Sequence, residues 1–301
     1  MGNQLGKKIK DLREFYGISQ SELCKGICHQ SYISKLEKNE IHPSAYVLFH
    51  LAIRLGVSMN YFFDHLTNTT KVNYVQDVMN EISKNMDLTN YSEVLDIITL
   101  EKNNPAFRTN DLRQYILWRE GICVFHLHHD KEKALSLLNE SLSLASTTSR
   151  NRSERELDIL SSIAIIHSID GDHKIAESIY EDLLEQCSRL PSFNDERILL
   201  RILFNASKNK YSQQKFKESK CLANKGISSC LNINSLYMLG ELYYQRGKSQ
   251  WLLDRQRTDV VLDDMKKAKF IFQIKKNEKF VSYVEDEIKK INRSKSKSTV
   301  K

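Results

Sequence analysis

Proline and glycine are scarce in this chain of 301 residues, which contains three prolines and ten glycines. Turn-rich β proteins need more of both, so the composition favours an all-α fold. Long apolar runs are missing as well, because no stretch approaches the roughly 18 apolar residues of a membrane-spanning helix. The amino-terminal lysines precede no apolar segment, so we expect no secretory signal peptide. We therefore expect a cytoplasmic protein without a membrane partner.

Catalytic motifs are also missing. The chain contains no P-loop, no G-x-G-x-x-G, no H-E-x-x-H and no nucleophile elbow. Six scattered cysteines argue against a disulfide framework in a reducing compartment. Cys24, Cys28 and His29 lie close together, but no second ligand pair follows at the spacing of a structural zinc site. We expect these two cysteines to be small apolar residues, and we expect no enzyme, no cofactor and no metal site.

Acidic residues are absent from the last segment, 289–301, which carries six lysines and arginines. The formal net charge of the chain is +7, so everything before residue 289 contributes only +1. Overall basicity therefore does not locate a nucleic-acid site. We expect residues 293–301 to form a disordered basic tail that adds weak, salt-sensitive attraction to phosphates.

Residues 19–41, SQSELCKGICHQSYISKLEKNEI, predict two short helices joined by a tight turn. The S-x-x-E pattern at Ser19 is a capping box, so the first helix should begin at Gln20. The chain should turn at 26–29 and begin the second helix at Gln30. A short helix that is apolar on one side and polar on the other has the width and chemistry to enter a DNA major groove.

The second of these helices has two distinct faces. Ile33 and Leu36 lie three residues apart and should face the protein interior. The residues that we expect to contact DNA are polar and lie on or beside the other face: Gln20, Gln30, Ser31, Tyr32, Ser34, Lys35 and Lys38. A glutamine at the start of the helix can pair with adenine, and Lys35 can reach a guanine or a phosphate. Gln20 and Lys38 would position the DNA backbone.

Apolar residues at helical spacing continue on both sides of this helix pair. The preceding segment should form a helix that ends at Gly17 and buries Leu5, Ile9, Leu12 and Tyr16. The following segment should begin a fourth helix at Ser44 and a fifth near Val57. The segments SQSEL (19–23), QSYISKLEK (30–38) and PSAYVLFHLAIRLGVS (43–58) resemble the lambda-repressor or XRE class of helix-turn-helix domains. The resemblance implies a DNA-binding domain over 1–66 in which Arg13 pairs with Glu37.

The remaining chain is a succession of helical patterns. We expect a linker and connecting helix over 67–84 and a repeat domain over 85–292. Small residues recur in the first helix of successive helix pairs at Gly121, Ala164, Ser207 and Gly247, and in the partner helices at Ala134, Ala176, Ser219 and Ala268. Such residues let antiparallel helices pack closely, as in tetratricopeptide (TPR) repeats. Stacked pairs form a superhelix whose concave groove can bind an extended peptide.

A helix-turn-helix domain followed by about five degenerate helix pairs resembles the RNPP family of peptide-responsive regulators in Gram-positive bacteria. The segments that carry the resemblance are ICHQS (27–31), FKES (216–219) and INSLYMLGELYYQRGK (233–248). The resemblance implies a homodimer that binds double-stranded DNA at a palindromic promoter site. It also implies control by a short signalling peptide that binds in the groove of the TPR-like domain.

The same resemblance assigns peptide contacts to Thr89, Ser161, Asn205, Lys208, Glu241, Tyr244, Gln245 and Phe280. An asparagine can donate to and accept from one peptide unit, so Asn205 would hold the peptide backbone whatever its sequence. Phe280 would suit an apolar peptide side chain. Ser161 stands where the relatives carry another asparagine, so one backbone clamp should be shorter or absent.

Charges in the groove differ from those of the relatives. Lysines of the relatives are replaced around Asp87 and Thr89, and Glu241 replaces a neutral glutamine. We therefore expect a cognate peptide that is less acidic or that carries a basic group. Two alternatives keep the DNA-binding domain: the repeats dock a protein partner without any peptide ligand, or a cysteine makes the regulator respond to oxidation.

Overall fold

The computed structural model describes residues 5–59, 61–62, 70–145, 152–190 and 193–298. All regular elements in these ranges are helices, as the predicted all-α fold requires. Contacts divide the chain into two compact units, Met1–Asn90 and Tyr91–Lys301. None of the described helices is long and apolar enough to cross a membrane.

The described helices of the first unit are α1 (Leu5–Phe15), α2 (Gln20–Cys24), α3 (Gln30–Glu37), α4 (Ala45–Arg54) and α5 (Thr70–Asp87). The fifth short helix that we expected falls partly outside the described residues, but its buried Phe62 joins the core. The residues predicted to face inward form that core, namely Ile9, Leu23, Ile33, Leu36, Leu48, Leu51, Ala52 and Leu55. Cys24 is part of it and Cys28 packs against it, as expected for small apolar residues.

A capping box determines where α2 begins, and a glycine lies in the turn that precedes α3. Ser19 Oγ accepts a hydrogen bond from the Glu22 N–H at 3.2 Å, and the Glu22 carboxylate accepts one from the Ser19 N–H at 2.7 Å. The predicted capping box is thus confirmed. Gly26 adopts a φ of +74°, which favours glycine and turns the chain towards α3. The helix then begins at Gln30, as predicted.

Gly6 brings α1 into direct contact with the carboxyl end of α3. Its N–H donates to Asn39 Oδ1 at 2.9 Å. A Cβ at position 6 would lie only 2.1 Å from the Leu36 carbonyl oxygen. Any larger residue would therefore have to move backbone, which makes Gly6 a structural requirement that sequence analysis missed.

Tyr16 is the one residue of the predicted α1 core that does not face inward. It is 51% exposed and its ring packs edge-on against Phe15. The reason is that α1 ends at Phe15, so Tyr16 lies beyond the last regular turn and does not continue the buried stripe.

In the second unit, α6 (Tyr91–Glu101) and a 3₁₀ turn (Pro105–Phe107) precede a series of helix pairs. The described pairs are α7 (Asn110–His128) with α8 (Lys131–Ser143), α9 (Glu154–Ile169) with α10 (His173–Arg189), α11 (Arg197–Ser212) with α12 (Phe216–Asn232), and α13 (Leu239–Leu253) with α14 (Thr258–Ile274). The chain closes with α15 (Glu278–Ser298). This helix extends past residue 293, where we expected a disordered tail. The segment has no proline or glycine that would interrupt helical hydrogen bonding.

The small residues predicted from the repeat spacing are all buried where two helices meet. A Cβ at Gly121 would lie 3.1 Å from the Ala134 carbonyl oxygen, so these helices approach to backbone distance. In the third pair, Ser207 Oγ donates to the Ser219 carbonyl oxygen at 2.8 Å. The predicted close packing within the pairs is confirmed.

Gly6→Ala should destabilise the first unit by about 1–3 kcal/mol, the usual cost of forcing extra atoms into a packed site. Hydrogen exchange of the full chain, followed by mass spectrometry, should show faster exchange in α1 and α3. Lys7→Ala, at an exposed position of the same helix, is the matched control. Unchanged exchange in Gly6→Ala would contradict the packing described for this site.

Candidate functional sites

The outer side of α3 presents the polar face expected from the sequence. Gln30, Ser31 and Lys35 are exposed and Ser34 is half-buried, whereas the two apolar positions of the helix are buried. Lys38, which follows the last turn, is exposed. Amide, hydroxyl and ammonium groups therefore lie together on one accessible surface.

A chain of hydrogen bonds connects this surface to α1. Gln30 Nε2 donates to Gln20 Oε1 at 3.2 Å, and Gln20 Nε2 donates to Glu37 Oε2 at 2.8 Å. Arg13 forms a two-point ion pair with Glu37, through Nε at 2.6 Å and Nη2 at 3.0 Å. The predicted Arg13–Glu37 pair is thus confirmed, and its hydrogen bonds raise the pKa of Arg13. These hydrogen bonds orient the Gln30 side chain from the protein side of α3.

Two of the residues predicted to contact DNA are used within the protein. Gln20 is half-buried, and both its amide nitrogen and its amide oxygen form hydrogen bonds within the protein. It therefore orients Gln30. Tyr32 packs against the core, and its hydroxyl donates to the His42 carbonyl oxygen at 3.4 Å. Since Tyr32 follows Gln30 by two positions, it points to a different side of the helix.

Arg54 supports the same region, and sequence analysis did not identify it. Its Nη1 donates to the carbonyl oxygens of Glu22, Leu23 and Lys25 at 3.2, 3.0 and 2.5 Å. These carbonyls lie at the carboxyl end of α2, where the regular helical hydrogen bonds stop. The hydrogen bonds join residues 29 to 32 positions apart, so no local pattern could indicate them.

The first helices of the pairs line one side of the second unit. α7, α9, α11 and α13 contact one another in succession, whereas the second helices make fewer contacts with each other. Stacked helix pairs curve towards the side on which the helices are closer, and that concave side accommodates extended ligands. We call the side formed by α7, α9, α11 and α13 the inner face.

Residues at a fixed offset from each small residue share one position on the first helices. Counted from each small residue, the position six residues before it holds Tyr115, Asp158, Arg201 and Glu241, and the position three before it holds Trp118, Ser161, Phe204 and Tyr244. The position two residues before it holds Arg119, Ser162, Asn205 and Gln245. The position one residue after it holds Ile122, Ile165, Lys208 and Lys248. The predicted peptide-binding residues on these helices all fall in these four sets. The repeat therefore relates residues that the resemblance assigned one by one.

Asn205, Lys208 and Tyr244 are accessible at these positions. The Asn205 amide makes no side-chain hydrogen bond within the described residues. Burial raises the pKa of Tyr244 to about 12, so its hydroxyl remains a donor at neutral pH. These three side chains can offer an amide, an ammonium and a hydroxyl to a ligand.

Gln245 and Ser161 do not project from the inner face as expected, because each is only 4% exposed. Gln245 Nε2 donates to Ser219 Oγ at 3.1 Å within a buried polar network that also includes Ser207 and Ser249. The glutamine therefore joins α12 to α13. Its hydrogen-bonding groups serve helix packing in this structure.

Glu241 is not a free negative charge. Its Oε1 accepts a hydrogen bond from Lys275 Nζ at 3.1 Å. Its Oε2 is buried and has no hydrogen-bond partner within the described residues. The carboxylate is thus neutralised by a lysine that lies 34 positions further along the chain.

The other two predicted peptide contacts lie outside the inner face. Thr89 belongs to the first unit, where it follows α5 with a φ of +59°. Phe280 lies on α15, is 38% exposed and stacks on Phe272 with ring centres 5.1 Å apart. The exposed part of its ring suits an apolar group.

The chain matches known protein families in sequence and known structures in fold. A family model described as the RNPP family C-terminal domain matches residues 77–291, and a helix-turn-helix model matches residues 9–62. No curated protein matches the chain in sequence. PlcR of Bacillus thuringiensis, solved in complex with the peptide PapR7 and DNA, is 24% identical with a TM-score of 0.75, and the match covers 94% of this chain and 99% of PlcR.

Two further structures are similar along nearly their whole length. ComR from S. thermophilus, solved with DNA and its signalling peptide ComS, is 16% identical with a TM-score of 0.62, and the match covers 96% of this chain and 99% of ComR. The SHP pheromone receptor Rgg2 of Streptococcus dysgalactiae is 16% identical with a TM-score of 0.63, covering 95% of this chain and 99% of Rgg2. Identities this low establish the fold alone. The family match, however, spans more than half of the chain and the whole series of helix pairs, so the chain belongs to the RNPP family.

Proposed function

We propose that this protein is a sequence-specific DNA-binding transcription regulator, active as a homodimer and controlled by a short signalling peptide bound on the inner face. The observation that carries the proposal is an exposed polar recognition helix in the same chain as an RNPP repeat domain. The structures of PlcR with PapR7 and DNA and of ComR with ComS and DNA contain both kinds of ligand and support it. The protein would be a PlcR-like quorum-sensing regulator that acts in the cytoplasm.

DNA recognition would begin at Gln30. Its amide can donate to and accept from the edge of an adenine in the major groove. Ser31, Ser34 and Lys35 lie on the same side of α3 and would add contacts to bases or phosphates. Because Gln20 already holds the Gln30 amide, less side-chain freedom is lost when DNA binds. Two such helices in a homodimer would read half-sites about 34 Å apart, one turn of the duplex.

Peptide control requires that the peptide bind two arrangements of the dimer with different affinity. Asn205 and Tyr244 would hold an extended peptide on successive first helices. A ligand that crosses several helices of a stack can favour one curvature of the stack over another. That preference would alter the placement of the two recognition helices and so change the affinity for a palindromic site.

Four of the six thiols give the redox alternative little support. Burial raises the pKa of Cys28, raises that of Cys123 to about 12, and raises those of Cys187 and Cys230 to about 11. A raised pKa keeps a thiol protonated and unreactive. The alternative in which the repeats dock a protein partner differs in another way, since it predicts DNA binding that is indifferent to short peptides.

Gel shifts on duplexes selected from a random library would separate these functions. We expect the protein to bind selected duplexes, a random heptapeptide pool to change the affinity, and thiol alkylation to change neither result. A peptide-indifferent shift would favour the docking function, and a shift lost on alkylation would favour the redox function. The absence of binding to any duplex at low salt would overturn the proposal.

Gln30→Ala should weaken binding to a selected duplex by about 1–3 kcal/mol and leave binding to random DNA nearly unchanged, because the amide reads a base. Fluorescence anisotropy on both duplexes measures the two affinities. Gln273→Ala, at an exposed position in the second unit, is the matched control. Equal losses on both duplexes would remove Gln30 from the base-reading residues.

Lys38→Ala should weaken binding to selected and random duplexes alike, because an ammonium beyond the end of α3 would contact phosphate. The plot of log affinity against log salt should become shallower by about one unit. The same anisotropy assay over a series of salt concentrations gives this slope. A loss confined to the selected duplex would show instead that Lys38 reads a base.

Asn205→Ala should weaken binding of a heptapeptide recovered from the pool by about 1–3 kcal/mol, since two hydrogen bonds to the peptide backbone are removed. Isothermal titration of the full chain measures the loss. Asn232→Ala, at an exposed position on the second helix of the same pair, should bind like the unmodified protein. If both variants bind equally well, Asn205 does not hold the peptide.

A further inference from the structure

The repeat position just after each small residue changes chemistry along the inner face. In the first two pairs it holds Ile122 and Ile165, which are half-buried. In the next two it holds Lys208, which is exposed, and Lys248, which is half-buried. One end of the inner face is therefore apolar at this position and the other end is basic.

The two ammonium groups lie among aromatic rings. Lys248 Nζ is 4.6 Å from the centre of the Tyr211 ring and 5.4 Å from that of the Tyr244 ring. Lys208 Nζ is 5.6 Å from the centre of the Phe204 ring. Tyr211 lies on α11 together with Lys208, and Tyr244 lies on α13 together with Lys248. The Lys248 ammonium is therefore close to one aromatic ring on each of the two helices that carry the lysines.

Neither lysine forms an ion pair with a carboxylate of the described residues. The acid that influences the charge of Lys248 is Glu287 on α15, which pairs with Lys290 at 2.9 Å. Glu241, further along α13, is held by Lys275. Glu287 is thus engaged by Lys290, and the positive charges of Lys208 and Lys248 remain without a carboxylate partner among the described residues.

The environment of the two lysines opposes their charge. Desolvation by neighbouring protein atoms lowers the pKa of Lys208 and of Lys248, and Lys208 and Lys290 further lower the pKa of Lys248 by repulsion. A bound anion would relieve that repulsion. Beside the half-buried Lys248 it would be held more strongly than at an open surface, because the effective dielectric constant is lower there.

We propose that Lys208 and Lys248, together with the hydroxyls of Tyr211 and Tyr244, bind a carboxylate of the signalling peptide, while Ile122 and Ile165 contact its apolar side chains. The inference rests on the proposed function and specifies its ligand: an extended peptide that is acidic at one end and apolar at the other. An extended heptapeptide is about 23 Å long. Four helices about 9 Å apart cover roughly 27 Å, so the lengths agree.

This ligand differs from the less acidic or basic peptide expected from the sequence. That expectation rested on lysines lost around Asp87 and Thr89 and on Glu241 as an added negative charge. The pairing of Glu241 with Lys275 removes the second of these grounds. At the end of the inner face formed by α11 and α13, the charges without a carboxylate partner among the described residues are those of Lys208 and Lys248. An acidic group on the peptide therefore complements them and a basic group does not.

Four N-acetylated heptapeptide pools would test the proposal, with all other positions drawn from uncharged residues. Each pool has either a free carboxylate or an amide at the carboxyl terminus, and it has either Glu or Gln at one randomly placed position. Recovery on the immobilised full chain, quantified by mass spectrometry, compares them. We expect the amide pool with Gln to be recovered at least about tenfold less than the best acidic pool. The two mixed pools show whether the terminal or the side-chain carboxylate is recognised.

Lys208→Gln and Lys248→Gln should each lower the affinity for the recovered acidic peptides about tenfold, and Lys208→Arg and Lys248→Arg should largely restore it. Lys225→Gln, at an exposed position on α12, is the matched control, and thermal unfolding checks that each variant is folded. Equal recovery of all four pools, or unchanged affinity in both glutamine variants, would overturn the proposal and leave the proposed function intact. If no pool binds at all, both fail.

Discussion

The close approach of paired helices at small side chains is the constraint on which the repeat unit depends. A Cβ at Gly121 would meet Leu138 at 3.0 Å, and one at Gly247 would meet Met265 at 2.9 Å. Each contact fixes the rotation of a first helix about its own axis. Residues at a constant offset from the small residue therefore come to the same side of each first helix, although neighbouring helices bury Ser161 and Gln245 there. The common inner face of Asn205, Lys208, Tyr244 and Lys248 is a consequence of this packing.

In the first unit, α3 is held by a similar close contact, by an ion pair and by side-chain hydrogen bonds. Gly6 lets α1 reach the backbone at the end of α3. Arg13 and Glu37 add an ion pair that continues through Gln20 to Gln30. An amide held in this way is oriented before any DNA is present. The buried side of α3 thus determines the chemistry that its exposed side can offer.

Features that depend on neighbouring residues could be predicted from the sequence. The capping box at Ser19 and the start of α3 at Gln30 follow from local spacing, and the buried small residues follow from the repeat period. The structure contains all of them. The ion pair between Arg13 and Glu37 came from the resemblance, because nothing local relates residues 24 positions apart.

The features that could not be predicted are contacts between distant helices. Gln245 has the chemistry of a peptide clamp, yet Ser219 from α12 takes its amide. Glu241 is an added negative charge in the sequence, but in the structure it pairs with Lys275. Polar side chains on a helix face look alike in a sequence whether their partner is a ligand or another helix. Only the packing of α12, α13 and α14 distinguishes them.

Coupling between the two ligands tests the central claim most directly. The affinity of the protein for a selected duplex would be measured at increasing concentrations of a heptapeptide recovered from the pool, and the peptide affinity would be measured with and without the duplex. If the repeats control the recognition helices, each ligand changes the affinity of the other by the same factor, about fivefold or more. If both ligands bind and neither affinity changes, the repeat unit does not regulate DNA binding.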